Sequence, residues 1–139
     1  MARYLSLSLA LAFLTVALVY AGTGQAEALA SVPDATTQEL PQGVTPAMIE
    51  QGETVYRGNG FCMTCHGDAG QGTPVGPNLV NGEWIQIDGS YESIVEVVME
   101  GQMEPAEYPG IMLPRGGSDI SDDEARAVSA YVWSISRGE

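Results

Sequence analysis

Every cysteine and histidine of this chain lies within five consecutive positions. Cys62 and Cys65 are the only cysteines, and His66 is the only histidine among 139 residues. Two thiols at this spacing can add to the two vinyl groups of a haem, and the imidazole next to the second thiol can then bind the iron. C-x-x-C-H is the attachment pattern of c-type haem. The sequence therefore predicts one haem c, held covalently through Cys62 and Cys65, with His66 as an iron ligand.

Other uses of this motif fit the sequence less well. A redox-active pair of the thioredoxin type belongs to a strand–helix–strand context, and no alternating strand pattern surrounds Cys62 and Cys65. A structural zinc site needs four ligands, whereas the motif supplies three and the chain has no further Cys or His. A disulfide across two intervening residues would be strained. Haem attachment is the interpretation that uses all three side chains.

Three helices are predicted around this motif. Each of the segments 45–58, 90–100 and 121–136 begins with a hydroxyl residue that can cap a helix, and each carries apolar side chains at helical spacing. The last segment has Ser121 and Glu124 in the two positions of a capping box. Because no segment shows the alternation of a strand, the sequence predicts an all-α domain.

The loops between these helices are long for so small a domain. Residues 67–83 and 101–120 are rich in Gly, Pro and Asn and have no helical pattern. Three short helices bury too little surface to hold such loops in place, unless something organises them. A large, flat, apolar ligand would supply the missing core. We therefore expect about three main helices with long loops wrapped around the haem.

In their order along the chain, these features resemble the small class I cytochromes c of bacteria. The resemblance extends over residues 45–137. It includes the glycine of the first helix, then CMTCHG, GPNL, a Met-Pro loop in IMLPRGG and a last helix containing AYV. It implies the cytochrome c fold, in which the two terminal helices cross at a glycine and an aromatic residue. Here these residues would be Gly52 and Tyr131.

The second iron ligand is expected to be a methionine. His66 is the only histidine, so two histidine ligands from this chain are excluded. Met99 ends an apolar helix and suits the core, and Met103 lies in a polar turn. The resemblance implies Met112, although Leu113 stands where the family usually has a proline directly after its ligand. Met103, or an open or water-bound position on the iron, are the alternatives.

The resemblance also implies further contacts with the haem. Pro77 lies where the family uses a proline carbonyl to accept the Nδ1–H of the iron-binding histidine, which orients the ring and raises its basicity. Asn78 and Leu79 would line the pocket. Trp84 or Arg115 would reach a haem propionate, and plain core packing is the alternative for Trp84.

The charge of the chain limits its partners. It has 18 acidic and 5 basic residues, none of them lysine, for a net charge of −13. This balance argues against binding nucleic acid or anionic membrane surfaces, and it favours redox partners, donor and acceptor, with a basic docking face.

No nucleophile has a free histidine to activate it, because His66 is committed to the iron. The sequence thus predicts not an enzyme but a one-electron carrier in a respiratory or dehydrogenase-linked chain. A tethered haem subunit of a larger oxidoreductase, or a five-coordinate haem protein that binds gases or peroxide, are the alternatives.

The N-terminal residues predict export. Arg3 precedes an apolar run over residues 4–21, and sites with small residues follow, which is the order of a secretory signal. An uncleaved membrane anchor is the alternative for the same run. Both interpretations place the remaining chain outside the cytoplasm, in the periplasm or another extracytoplasmic compartment. The expected organisation is a signal at 1–28, a flexible linker at 29–44 and a cytochrome c domain at 45–139.

Overall fold

The computed structural model describes residues 39–137, which form four α-helices and one short 3-10 helix joined by loops. The α-helices are α1 (Pro46–Arg57), α2 (Cys62–His66), α3 (Tyr91–Glu100) and α4 (Asp122–Ile135), and the 3-10 helix is Pro114–Gly117. This range contains no β-strand, and its one β-type pairing is a single antiparallel bridge between Gln102 and Met112. The prediction of an all-α domain is confirmed.

Helices α1, α3 and α4 are the three predicted helices, and each begins at its predicted cap. The hydroxyls of Thr45 and Ser90 each accept a hydrogen bond of 3.2 Å from the amide three residues further on. At α4, the Ser121 hydroxyl accepts from the Glu124 amide, and the Glu124 carboxylate accepts from the Ser121 amide at 2.8 Å. These bonds satisfy amides that a helix start would otherwise leave unpaired.

Helices α1 and α4 cross closely at Gly52. A Cβ atom at this position would overlap the carbonyl of Ala127 and would lie 2.8 Å from the Cβ atom of Tyr131. One turn further along α1, the ring of Tyr56 packs against the Tyr131 ring, with 5.3 Å between the centroids. The expected contact between Gly52 and Tyr131 is therefore present, and it requires a residue without a side chain on α1.

The hydrophobic core lies among α1, α3 and α4. Its most deeply buried side chains include Val55, Tyr56, Ile94, Ile120, Ala125, Val128 and Ala130. Val44 is only 7% exposed and belongs to this core, although the sequence placed it in the linker. Packed structure therefore begins before residue 45. The predicted signal at 1–28 and the first ten residues of the predicted linker lie outside the described residues.

Among the helices of residues 39–137, none combines the length and the apolar character needed to cross a membrane. The apolar run at 4–21 is not part of this range.

Candidate functional site

An apolar cavity of about 350 Å³ opens into the core between the helices and the long loops. Part of its wall is made by core side chains from three helices, namely Tyr56, Ile94, Val98, Val128 and Val132. Its volume is in the range typical of cofactor sites. All the predicted cofactor-binding residues except Arg115 line this one cavity: Cys62, Cys65, His66, Pro77, Asn78, Leu79, Trp84 and Met112. An apolar wall that carries two thiols and an imidazole fits a haem.

Helix α2 is a single turn formed by the C-x-x-C-H residues themselves. Both of its cysteines are free and half-buried. Burial raises the pKa of the Cys62 thiol to about 11, so this thiol is protonated at neutral pH. A protonated thiol is a poor nucleophile and a poor metal ligand, unlike the reactive cysteine of a redox enzyme. Zinc fits no better, because no three His, Cys, Asp or Glu side chains within residues 39–137 could hold a metal ion together.

His66 presents a neutral and oriented imidazole to the cavity. Its Nδ1 atom lies 3.0 Å from the carbonyl oxygen of Pro77, the contact that the family resemblance implied. A carbonyl can only accept, so Nδ1 carries the proton and Nε2 is left free for a metal. The pKa of His66 is lowered, mainly because burial disfavours the charged ring, and the bond to Pro77 opposes this effect in part. The neutral form is the one that binds iron.

The carbonyls of the last two residues of α2 and of the glycine that follows it each accept a hydrogen bond from a residue outside the helix. The pairs are Cys65 with the Thr73 hydroxyl at 2.6 Å, His66 with the Gly72 amide at 2.7 Å, and Gly67 with the Tyr56 hydroxyl at 2.8 Å. Burial also raises the pKa of Tyr56, so its hydroxyl keeps the proton that it donates. These roles of Tyr56 and Thr73 could not be foreseen from the sequence. Neither residue belongs to a recognisable motif.

Met112 is the one methionine among the described residues that lines the cavity. The bridge to Gln102 fixes its backbone, with N···O distances of 2.7 and 3.0 Å for the two hydrogen bonds. Its side chain packs partly buried against the core. Met103 is 53% exposed, and Met99 packs on the core without reaching the cavity wall. The inserted Leu113 therefore does not remove Met112 from the site.

Arg115, which the resemblance suggested as a propionate partner, does not line the cavity. Its guanidinium donates to the carbonyl of Ile120 at 2.8 Å and pairs with the carboxylate of Asp122. These bonds attach it to the start of α4 instead. Within residues 39–137, no arginine lines the cavity, and the carboxylates on its wall belong to Glu83 and Glu107. Trp84 does line it, next to the tightly packed Gly89.

Two loop segments complete the wall, and no motif marks most of their residues. The lining residues lie within 83–87 and 104–113. The side-chain amide of Gln86 joins them: its Nε2 donates to the carbonyl of Glu104 at 3.1 Å, and its Oε1 accepts from the amide of Ala106 at 3.0 Å. No sequence pattern marks such a contact, because the joined residues are 18 and 20 positions apart.

The sequence profile of the family described as cytochrome C oxidase, cbb3-type, subunit III matches residues 47–132. The chain belongs to this family. The match includes α1 to α3, the cavity-lining loops and most of α4, so the prediction of a class I c-type cytochrome with the cytochrome c fold is confirmed. Membership of the cbb3-type family also places the chain among haem-containing electron-transport proteins.

Two curated relatives carry matching names. The Cbb3-type cytochrome c oxidase subunit FixP of Azorhizobium caulinodans is 29% identical over 99 residues, which are 70% of this chain and 30% of FixP. The Cbb3-type cytochrome c oxidase subunit CcoP of Rubrivivax gelatinosus is 28% identical over 91 residues, 66% of this chain and 27% of CcoP. The chain thus spans less than a third of the length of either relative.

Among solved structures, a chain of the reducing HAO-like protein complex of Kuenenia stuttgartiensis is similar in fold. It superposes with a TM-score of 0.51 at 22% identity, over 70% of this chain and 47% of that chain. At this identity the likeness concerns the fold alone.

Proposed function

We propose that this chain is a one-electron carrier with a single haem c, attached through Cys62 and Cys65 and ligated by His66 and Met112. The observation that carries this proposal is that Met112, alone among the described methionines, lines the cavity that His66 and both cysteines also line. Membership of a cytochrome family supports the cofactor. The position of Met112 supports the ligand set.

Each side chain has a defined task in this proposal. The haem, when bound, supplies the one-electron couple. His66 offers a neutral nitrogen, because the Pro77 carbonyl holds the ring proton on the other side of the ring. Met112 offers a thioether, a ligand that favours reduced iron and raises the reduction potential. A haem held by both His66 and Met112 would have no open ligand position for oxygen chemistry, which favours a carrier over an enzyme.

The ligand set can be tested by replacing two methionines. We expect Met112→Ala to lower the reduction potential, to remove the sulfur-to-iron band at the red end of the oxidised spectrum, and to admit cyanide or carbon monoxide. Met103→Ala is the matched control and should leave all three properties unchanged, because Met103 does not line the cavity and is half exposed.

The opposite outcomes have definite meanings. If Met103→Ala opens the iron and Met112→Ala does not, the ligand assignment is incorrect. If neither variant changes the spectrum, the iron is not bound by methionine, and a gas- or peroxide-binding protein becomes the better interpretation. In both variants the haem should stay with the denatured polypeptide, since thioethers are covalent. Haem that extracts into acid acetone would contradict the attachment.

A second candidate function keeps electron transfer but makes the chain a subunit of a larger oxidoreductase. It is favoured by the family description and by two relatives that are named as oxidase subunits. Purification of the native protein separates the two functions by size: a free carrier elutes alone, and a subunit elutes with other chains.

We further propose that the domain works outside the cytoplasm, after export through residues 1–28. N-terminal sequencing of the purified native protein tests this assignment. A start near residue 29 indicates a cleaved signal and a soluble domain behind a short linker. An intact N-terminus in the membrane fraction indicates that residues 4–21 serve as an anchor.

A further inference from the structure

Thr73 joins the C-x-x-C-H turn to the loop that carries Pro77. Its hydroxyl donates to the carbonyl of Cys65 at 2.6 Å and accepts from the amide of Val75 at 3.1 Å. Its own amide donates to the carbonyl of Gly76 at 3.0 Å. One partly buried side chain thus connects α2 with the tight turn over residues 73–76. Pro77 is the next residue after this turn.

The turn lies directly on the backbone of α2. A Cβ atom on Gly76 would be 2.9 Å from the carbonyl oxygen of Cys65, closer than such atoms approach in proteins, so the two backbones are in contact. The next carbonyl along the chain, that of Pro77, lies 3.0 Å from Nδ1 of His66. The position of the carbonyl that His66 uses is therefore set by a turn whose attachment to α2 includes the Thr73 hydroxyl.

We propose that Thr73 is a positioning residue for the iron ligand His66, because it holds the Pro77 carbonyl within hydrogen-bonding distance of Nδ1. This inference rests on the proposed role of His66. A hydrogen bond from Nδ1–H makes the opposite nitrogen a stronger donor to iron. A stronger donor stabilises the oxidised metal and lowers the reduction potential. Loss of the Thr73 hydroxyl weakens this bond, so the potential should rise.

The test compares three variants of the full-length, haem-loaded protein. Thr73→Val keeps the shape of the side chain and removes its hydroxyl. We expect the one-electron equilibrium constant to shift toward the reduced form by up to about tenfold, which is ~59 mV for one electron. We also expect the Nδ1 proton of His66 to exchange several-fold faster with solvent, as measured by NMR. Thr73→Ser restores the hydroxyl and should restore both values.

Thr54→Val is the matched control. Its hydroxyl donates to the carbonyl of Glu50 at 3.2 Å on the exposed side of α1, so the same chemical change is made away from the cavity wall. The potential and the exchange rate should stay at their wild-type values. A shift of equal size in Thr54→Val and Thr73→Val would overturn the inference, because the effect would then not depend on position.

The failure of this inference differs from the failure of the proposed function. If wild-type protein shows His66 bound to iron but Thr73→Val keeps the wild-type potential and exchange rate, only the inference is overturned. If wild-type spectra show no histidine on the iron, the proposed function fails first and the inference with it. If Thr73→Val does not bind haem, the result for Thr73→Ser decides the question. A Thr73→Ser protein with normal haem loading and normal potential supports the need for the hydroxyl. A Thr73→Ser protein that also fails to load overturns the inference.

Discussion

Gly52 shows how a single missing side chain allows two helices to meet. We expect Gly52→Ala to destabilise the haem-loaded protein by up to about 2 kcal/mol in total, because overpacking a filled core usually costs about 1–3 kcal/mol. The new Cβ atom would overlap the Ala127 carbonyl, which is backbone and cannot rotate away. This cost outweighs the roughly 1 kcal/mol that alanine gains over glycine inside a helix. Unfolding in denaturant measures the difference.

The neighbouring residue provides the control for this experiment. Gln51 is exposed on the same helix, and Gln51→Ala should change stability by no more than about 0.5 kcal/mol. A Gly52→Ala protein as stable as the wild type would mean that α1 and α4 can separate at little cost.

The loop 103–111 is attached to the rest of the domain at two places. Its ends are joined by the bridge between Gln102 and Met112, and its first part is tied to the segment 83–87 by Gln86. We expect Gln86→Leu to speed the hydrogen exchange of the Ala106 amide, because that amide loses its acceptor. Gln86→Glu keeps an acceptor for Ala106 but no longer donates to Glu104, so its effect on this amide should be smaller. Equal exchange in all three proteins would show that the tie does not hold the loop.

The longer helices could be predicted from the sequence, whereas side-chain contacts between distant segments could not. Helices α1, α3 and α4 were predictable because each combines a cap with several turns of apolar periodicity. Helix α2 spans 5 residues, too few for a period to be visible, and only its chemistry marks it. Gln86 was beyond prediction because its partners are distant in sequence. The pairing of Arg115 with Asp122 was not predicted either, because no motif marks a contact between residues seven positions apart in an irregular segment.

The protein carries a net charge of −13, so a redox partner approaches a mostly negative surface. Arg57 pairs with Glu53 and Asp68, so part of the small positive charge is already neutralised on the surface. We expect a cationic cobalt complex to oxidise the reduced protein more slowly as salt rises, and anionic ferricyanide to react faster. Salt screens charges beyond roughly 10 Å at 0.1 M, which weakens attraction and repulsion alike.

Two variants can locate this effect on the surface. Glu107 lies on the cavity wall, so Glu107→Gln should reduce the salt dependence seen with the cationic complex. Glu50→Gln removes the same charge from an exposed position of α1 that does not line the cavity, and its effect should be smaller. If neither oxidation rate changes with salt concentration, the net charge serves another purpose, such as adaptation to a saline environment.

Because a backbone bridge joins Gln102 to Met112, the position of Met112 does not depend on how many residues the loop between them contains. Because the bridge fixes both ends, extra residues at the tip would leave Met112 where it is, and doubling the length of a loop costs only about 0.6 kcal/mol. That tip also forms part of the cavity wall, through Glu107 and Tyr108. Under the proposed ligand set, changes in the length or sequence of this tip would alter the surface beside the cavity while Met112 keeps its place.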